Sequence, residues 1–198
     1  MANSVSATYF ETRNLDGHMA VLRQVIDESL ADPEVTNLAV RLVSGSFDYV
    51  EDPRTGRRIP VVEAWGKQFH APDVPVCPPE DASCELAVLW TFCVQNMRYT
   101  YDMNSTDQFK TVKQTLLTGG GDCDDQTILL ISLARALGFN HAVARVISSD
   151  GENWVHVFPI IGCPKDAPSV WIPMDMTVQG FRPGDMAPFA AARDFDMA

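Results

Sequence analysis

The first clear periodicity in the chain lies in "LDGHMAVLRQVIDESLAD", where Met19, Leu22, Val25, Ile26 and Leu30 recur at helical spacing. Asp16 is placed to cap that helix and Pro33 to stop it. "PEVTNLAVRLVSG" predicts a second helix that ends near Gly45. Ahead of both, the first dozen residues are polar without a period and predict an arm. Between Phe47 and Ala82, proline and glycine recur too often for a long regular element, so this stretch predicts loop, with a hairpin turn at Thr55-Gly56. "CELAVLWTFCVQNMRY" then resumes as a buried helix, and "YTYD" leads through a loop to "TGGGDCDDQTILLISLARALGF". Here Ile128, Leu130, Ile131, Leu133, Ala134 and Leu137 surround the helix axis, which marks a helix inside a core, and Gly138 sits where a left-handed residue ends it.

The pattern then changes period. "HAVARVIS", "NWVHVFPII" and "VWIPMDMT" alternate as strands do, are rich in β-branched and aromatic residues, and are joined by short connections, which predicts an antiparallel meander. Helices first and sheet afterwards give an α+β fold. With no internal repeat in 198 residues, one domain is expected.

Composition narrows the function. The chain is 46% hydrophobic and 21% charged, and its 15 Lys+Arg against 26 Asp+Glu give a net charge of -11. That balance works against phosphate backbones and anionic lipid surfaces, so neither nucleic acid nor membrane is expected as a partner. The opening "MANSVSATYFETRNLDGHMA" has no basic region followed by an apolar one, which predicts a cytoplasmic chain when synthesised. The five cysteines, Cys77, Cys84, Cys93, Cys123 and Cys163, are odd in number and form no CxxC pair, so most are expected to be reduced. Cys93 reads as a small buried hydrophobe. Cys77 and Cys84, which bracket "CPPEDASC", are the pair that an oxidising milieu would join.

One of these thiols sits where chemistry is expected. Asp122 fits an N-cap, which puts Cys123 in the first turn of the core helix, where free backbone N–H groups and the helix dipole favour a thiolate. The three glycines before it let the backbone bend and a substrate approach. Asp122, Asp124 and Asp125 oppose the thiolate, so a cationic partner is needed. His156 is the histidine flanked by strand sequence, with Trp154, Phe158 and Ile160 read onto its face, and Asp175 follows on the next strand. Neighbouring antiparallel strands bring an Asp beside a His, fix its tautomer and stabilise its charged form. Singly, these residues read as a core thiol, a satisfied core histidine and a turn aspartate. Together, with the thiol at a helix start after three glycines, they read as a nucleophilic triad.

"GGGDCDDQTILLISLARALGF", "WVHVF" and "WIPMDMT", with "MRYTYD" ahead of "TVKQTLLTGGGDC", resemble the transglutaminase-like superfamily, whose fold is related to papain. The resemblance covers about Cys84 to Val178 and is nearest to short transglutaminase-like proteins of bacteriophages and prophages. It implies a central helix carrying the Cys packed on an antiparallel sheet carrying the His and Asp. It also implies a catalytic core over residues 83–198, with residues 1–82 as a helical and loop region of the same domain. Cys123 is then the nucleophile, His156 general base and then acid, and Asp175 the orienting residue, with no cofactor and no metal. The oxyanion donor is the backbone N–H of Cys123, joined by a side chain for which Gln114, Gln108 and Tyr101 are candidates. Tyr99 and Tyr101 otherwise read as sheet or cleft-wall residues.

The implied chemistry is acyl transfer through a thioester, resolved by water in a hydrolase or by an amine in a crosslinking transglutaminase. Hydrolysis is favoured for so short a chain, with a peptide or protein substrate such as a peptidoglycan peptide or a virion protein. Two alternatives stand beside it. In one, the fold is a structural component of a phage particle, with the arm and the tail "FRPGDMAPFAAARDFDMA" contacting other virion proteins. In the other, Asp122, Asp124 and Asp125 form a Ca²⁺ loop with Asp150 or Glu152, although the spaced Asp-x-Asp-x-Asp-Gly signature is missing.

Overall fold

The computed structural model describes residues 5–8, 14–73, 76–100 and 106–198, with side chains before residue 14 and at residues 106 and 107 left aside. In chain order its elements are β1 (Val5–Thr8), α1 (Leu15–Leu30), α2 (Pro33–Ser44), β2 (Asp48–Glu51), β3 (Arg58–Ala64), β4 (Lys67–His70), α3 (Ala82–Asn96) and β5 (Arg98–Tyr99). These are followed by β6 (Thr106–Phe109), α4 (Val112–Thr118), β7 (Gly120–Gly121), α5 (Cys123–Ala136), β8 (Ala142–Ser148), β9 (Trp154–Cys163), β10 (Val170–Pro173) and β11 (Ala191–Asp196). The class is α+β.

The centre is α5. Every residue from Cys123 to Ala134 is buried, because α1, α2, α3 and α4 pack around it and β9 crosses its remaining side. This is why its apolar residues show no single stripe. The other helices are amphipathic. On α1 the buried row is Leu15, His18, Met19, Leu22, Val25, Ile26 and Ser29, with the i, i+3, i+4 spacing of one face. Its polar members have work to do there: Ser29 donates to the Val25 carbonyl at 2.8 Å and accepts from the Val112 amide at 3.1 Å, tying α1 to the start of α4.

Pro33 stops α1 and also opens α2, where its missing N–H is not needed. Asp32 caps α2 by accepting from the Glu34 amide and holds the Trp65 indole at 2.9 Å. Gly45, at φ 66°, ends α2 in the left-handed region as expected. Asp16 is not the cap of α1: the helix begins a residue earlier, at Leu15, because Leu15 belongs to the buried row, and Asp16 instead meets Arg193 at 2.9 Å on the surface.

Two expectations are corrected here, and the one cysteine pairing left open is found made. The stretch read as loop after Phe47 folds into a three-stranded sheet in the order β2-β3-β4, with the hairpin turn at Thr55-Gly56 between the first two strands and a second turn at Trp65-Gly66. Part of the presumed arm, Val5–Thr8, pairs antiparallel with Thr106–Phe109. Cys77 and Cys84 are joined, so the loop "CPPEDASC" is closed ahead of α3, while Cys93, Cys123 and Cys163 are free and buried. Tyr101 lies outside the described residues, and Tyr99 is in the short strand β5, beside β7.

The predicted meander is present as β8, β9 and β10, in a sheet of order β10-β9-β8-β11. Its outer strand β11 comes from the tail and runs antiparallel to β8, from Ala191 opposite Ser148 to Asp196 opposite Val143. The tail residues assigned to neighbouring subunits in the assembly alternative are therefore used within their own sheet. Among the described residues, no helix is long and apolar enough to cross a membrane.

Candidate active site

The segment that delivers Cys123 is built in short steps. Thr111 and Gln114 form a reciprocal capping box at the start of α4, and Gly119, at φ 71°, ends that helix in the left-handed region. Gly120 and Gly121 pair with Arg98 and Tyr99, and Asp122 then caps α5 by accepting from the Asp125 amide at 3.4 Å. Cys123 is thus in the first turn of α5, as its sequence indicated. Gly119 gives the expected bend, whereas Gly121 does a different job from the one expected. A Cβ on Gly121 would stand 2.4 Å from the Cβ of Asp125, so the missing side chain admits that aspartate and not a substrate. Gly121→Ala is expected to lower stability by about 1–3 kcal/mol through overpacking, read as a lower urea midpoint at unchanged slope.

The thiol is 8% exposed and belongs to a cluster with Leu15, Ile128, Ile131, Val157 and Met197. Its side-chain hydrogen-bond partner is Asp124, whose Oδ1 is 4.0 Å from Sγ. Burial first, and then the charges of Asp124 and Asp122, push the thiol well above its ordinary range; the amide groups of Val157 and of Cys123 itself pull the other way. The helix terminus alone is outweighed by burial and by these two carboxylates.

On the sheet, His156 and Asp175 meet directly. Nε2 of His156 lies 2.8 Å from Oδ2 of Asp175. The pairing of β10 with β9 explains the meeting: Pro173 stands opposite Ile160, and the Met174 amide still donates to the Pro159 carbonyl at 2.9 Å, so the chain carries Asp175 onward beside β9 toward His156. The other oxygen of Asp175 accepts from the Thr177 amide at 3.0 Å and from its hydroxyl at 2.7 Å. Burial pushes Asp175 up, but the bond and charge of His156 and both bonds from Thr177 outweigh it and hold the carboxyl below its usual range.

His156 shares its face with Phe158, whose ring stacks at 5.7 Å, and with Ile160, as expected. Trp154 does not. A register shift between Ile147 and Ser148 sets Trp154 opposite Ser148, while His156 stays opposite Ile147, and Trp154 packs with the cluster around Cys123. Val157, next to His156, faces α5, and its carbonyl accepts from Thr127 at 3.4 Å. The thiol therefore reaches β9 at the residue beside the imidazole. Among the described residues no hydrogen bond joins the two directly. On the His156 face, a cavity of about 470 Å³ is lined by Ile160, Val143, Trp171, Pro173 and Met186 together with the Arg145–Asp194 pair.

A model of the transglutaminase-like superfamily matches residues 76–176, just over half of the chain, and spans Cys123, His156 and Asp175. The chain belongs to the transglutaminase-like superfamily. Members of this superfamily are usually cysteine-based enzymes, and membership points to cysteine-dependent hydrolase or transamidase chemistry. Comparison with curated proteins returns no match.

Within this transglutaminase-like domain, the oxyanion candidates fare unequally. The carboxamide oxygen of Gln114 is engaged in the capping box of α4. Gln108 is on the surface of β6, opposite Ser6. Gln126, one turn along α5 from Cys123, was not among them; it is buried and donates to the Gly121 carbonyl at 3.1 Å. The three aspartates diverge. Asp122 caps the helix, Asp124 accepts from His18 at 3.1 Å, and Asp125 accepts from the Lys110 amide at 2.8 Å and from its ammonium group. Burial raises the Asp125 carboxyl to about 6, with Lys110 acting against it. Asp150 is engaged in its own turn, with Ser148 and Asn153. These partners leave the oxygens pointing apart, unlike a Ca²⁺ loop. Sequence reasoning also missed Thr177, although Asp-x-Thr at the end of a strand is a turn signal, and His18, whose partner is 106 residues away.

Proposed function

We propose that this transglutaminase-like protein is a cysteine-dependent amide hydrolase acting on peptides or proteins through Cys123, His156 and Asp175. The observation that carries the reading is the His156–Asp175 hydrogen bond through Nε2, beside the strand residue that meets the thiol. It leaves Nδ1 as the atom that takes the thiol proton when a bound substrate tightens the site. The sulfur then bonds to the amide carbonyl carbon, and the oxyanion is received by the Cys123 N–H at the head of α5. The C–N bond breaks as Nδ1 returns the proton to the leaving amine, and a thioester remains. Water attacks the thioester, gives its proton to Nδ1, and the acid leaves as the thiol is restored. The cavity lined by Ile160, Trp171 and Pro173 receives a substrate side chain.

The test is to trap the acyl-enzyme. An activated acyl ester is expected to add its acyl mass to the Cys123 peptide alone, in a form that hydroxylamine removes. Peptidoglycan peptides and a protein panel then separate substrate classes, and a labelled primary amine separates hydrolysis from crosslinking. Acylation spread over Cys93 and Cys163, or absent from Cys123, defeats the reading.

A further inference from the structure

The imidazole bonded to the thiol's carboxylate partner is not His156. On the buried face of α1, Nε2 of His18 lies 3.1 Å from Oδ2 of Asp124, with both side chains 4% exposed, and the other oxygen of Asp124 faces Sγ of Cys123 at 4.0 Å. The edge of the Phe109 ring packs against His18 at 4.6 Å. A histidine and an aspartate in an apolar row are costly unless they serve each other. Here they do so at the one place where the aspartate also meets the thiol.

We propose that His18 is a positioning residue for Cys123: through Asp124 it decides whether the thiol faces a neutral pair or a bare carboxylate. This rests on Cys123 being the nucleophile. With His18 protonated, the pair has no net charge, and a thiolate beside it meets little repulsion. Once His18 gives up its proton, Asp124 stands as an uncompensated anion at about van der Waals distance, and sulfur holds its own proton harder. Charged groups near the pair include Asp122 and Asp125 at the head of α5, and Lys110, which engages Asp125 from the end of β6. The ammonium group of Lys110 is bonded to Asp125. The remaining neighbours of His18 in the row, Leu15 and Leu22, are apolar.

The experiment is the pH profile of iodoacetamide alkylation at Cys123, mapped by mass from about pH 5 to about pH 9, where imidazoles and thiols exchange protons. The wild-type curve is expected to be broader than a single titration. In His18→Gln, which keeps a donor and removes the titration, the midpoint is expected to rise by about one pH unit or more, roughly a tenfold loss of low-pH reactivity. Adding Asp124→Asn to that variant should restore it, an outcome that a merely structural role for His18 does not give. A His18→Gln curve that superimposes on wild type in a folded protein overturns the proposal. If His18→Gln does not fold, Asp124→Asn decides: a narrowed, single-proton curve with a lower midpoint supports the proposal, and a curve like wild type overturns it. His156→Ala in parallel keeps the two readings apart. A normal curve there with a shifted one in His18→Gln removes His156 as the proton acceptor and leaves this inference standing; the reverse removes His18.

Discussion

Cys123→Ala is expected to abolish turnover of every amide or ester the protein accepts, with kcat falling by about 10⁴-fold or more, while the fold persists. The fold should persist because the side chain is small, the Asp122 cap of α5 depends on no sulfur, and the cluster around Cys123 is held by Leu15, Ile128, Ile131 and Val157. The activity should vanish because no other nucleophile is at the head of α5; Cys93 and Cys163 are buried in the separate cluster around α3. The measurement pairs hydrolysis of a chromogenic ester with the thermal midpoint. Retention of more than about 1% of wild-type kcat in a folded variant would mean that the chemistry belongs elsewhere.

Asp175→Asn is expected to lower kcat by about 10²–10⁴-fold with little change in KM, since it removes the acceptor that fixes Nε2 of His156 and stabilises the charged ring. It should also change the pH dependence of stability in a defined direction. The folded protein holds Asp175 below the usual carboxylate range, so its contribution is present above the ordinary carboxyl pKa and is lost as pH falls through the lowered folded value. The stability gap between wild type and variant should therefore be greatest near neutrality, about 1–3 kcal/mol, and shrink on acidification. Urea midpoints across that range measure it. A gap that widens in acid would contradict the assigned charge.

Much of this architecture can be read from the residues, and the failures have physical causes. Helix α5 was legible because Ile128 to Leu137 leave no polar face, and the meander because β-branched and aromatic residues alternate in β8 and β9. The small sheet β2-β3-β4 was not, since its strands are short and Pro60 sits within β3, where proline normally argues against a strand. Strand β11, "AARDFD", carries only Phe195 as a large apolar residue and is mostly exposed, so its period is weak. The meeting of His156 with Asp175 was legible because neighbouring strand sequences carry them, and the place of Cys123 in the first turn of α5 because Asp122 and the glycines precede it. The face of Trp154 was not, because a bulge reverses alternation without changing composition. His18 was hidden by its own row: a polar residue at helical spacing among Leu15, Met19 and Leu22 reads as tolerated, and only the packing of α1 on α5 supplies its partner.

The pairing of β11 with β8 has a bearing on synthesis. Met197, just past that strand, is 1% exposed, belongs to the same cluster as Cys123, and donates its amide to the Ala142 carbonyl at 2.9 Å. A ribosome that has already made Cys123, His156 and Asp175 has thus not yet supplied the strand and the methionine that close the wall behind the thiol. Cys123 reaches its finished surroundings only after residues 191–197 have emerged, so a nascent chain can contain Cys123, His156 and Asp175 while the packing around the thiol still waits on the tail.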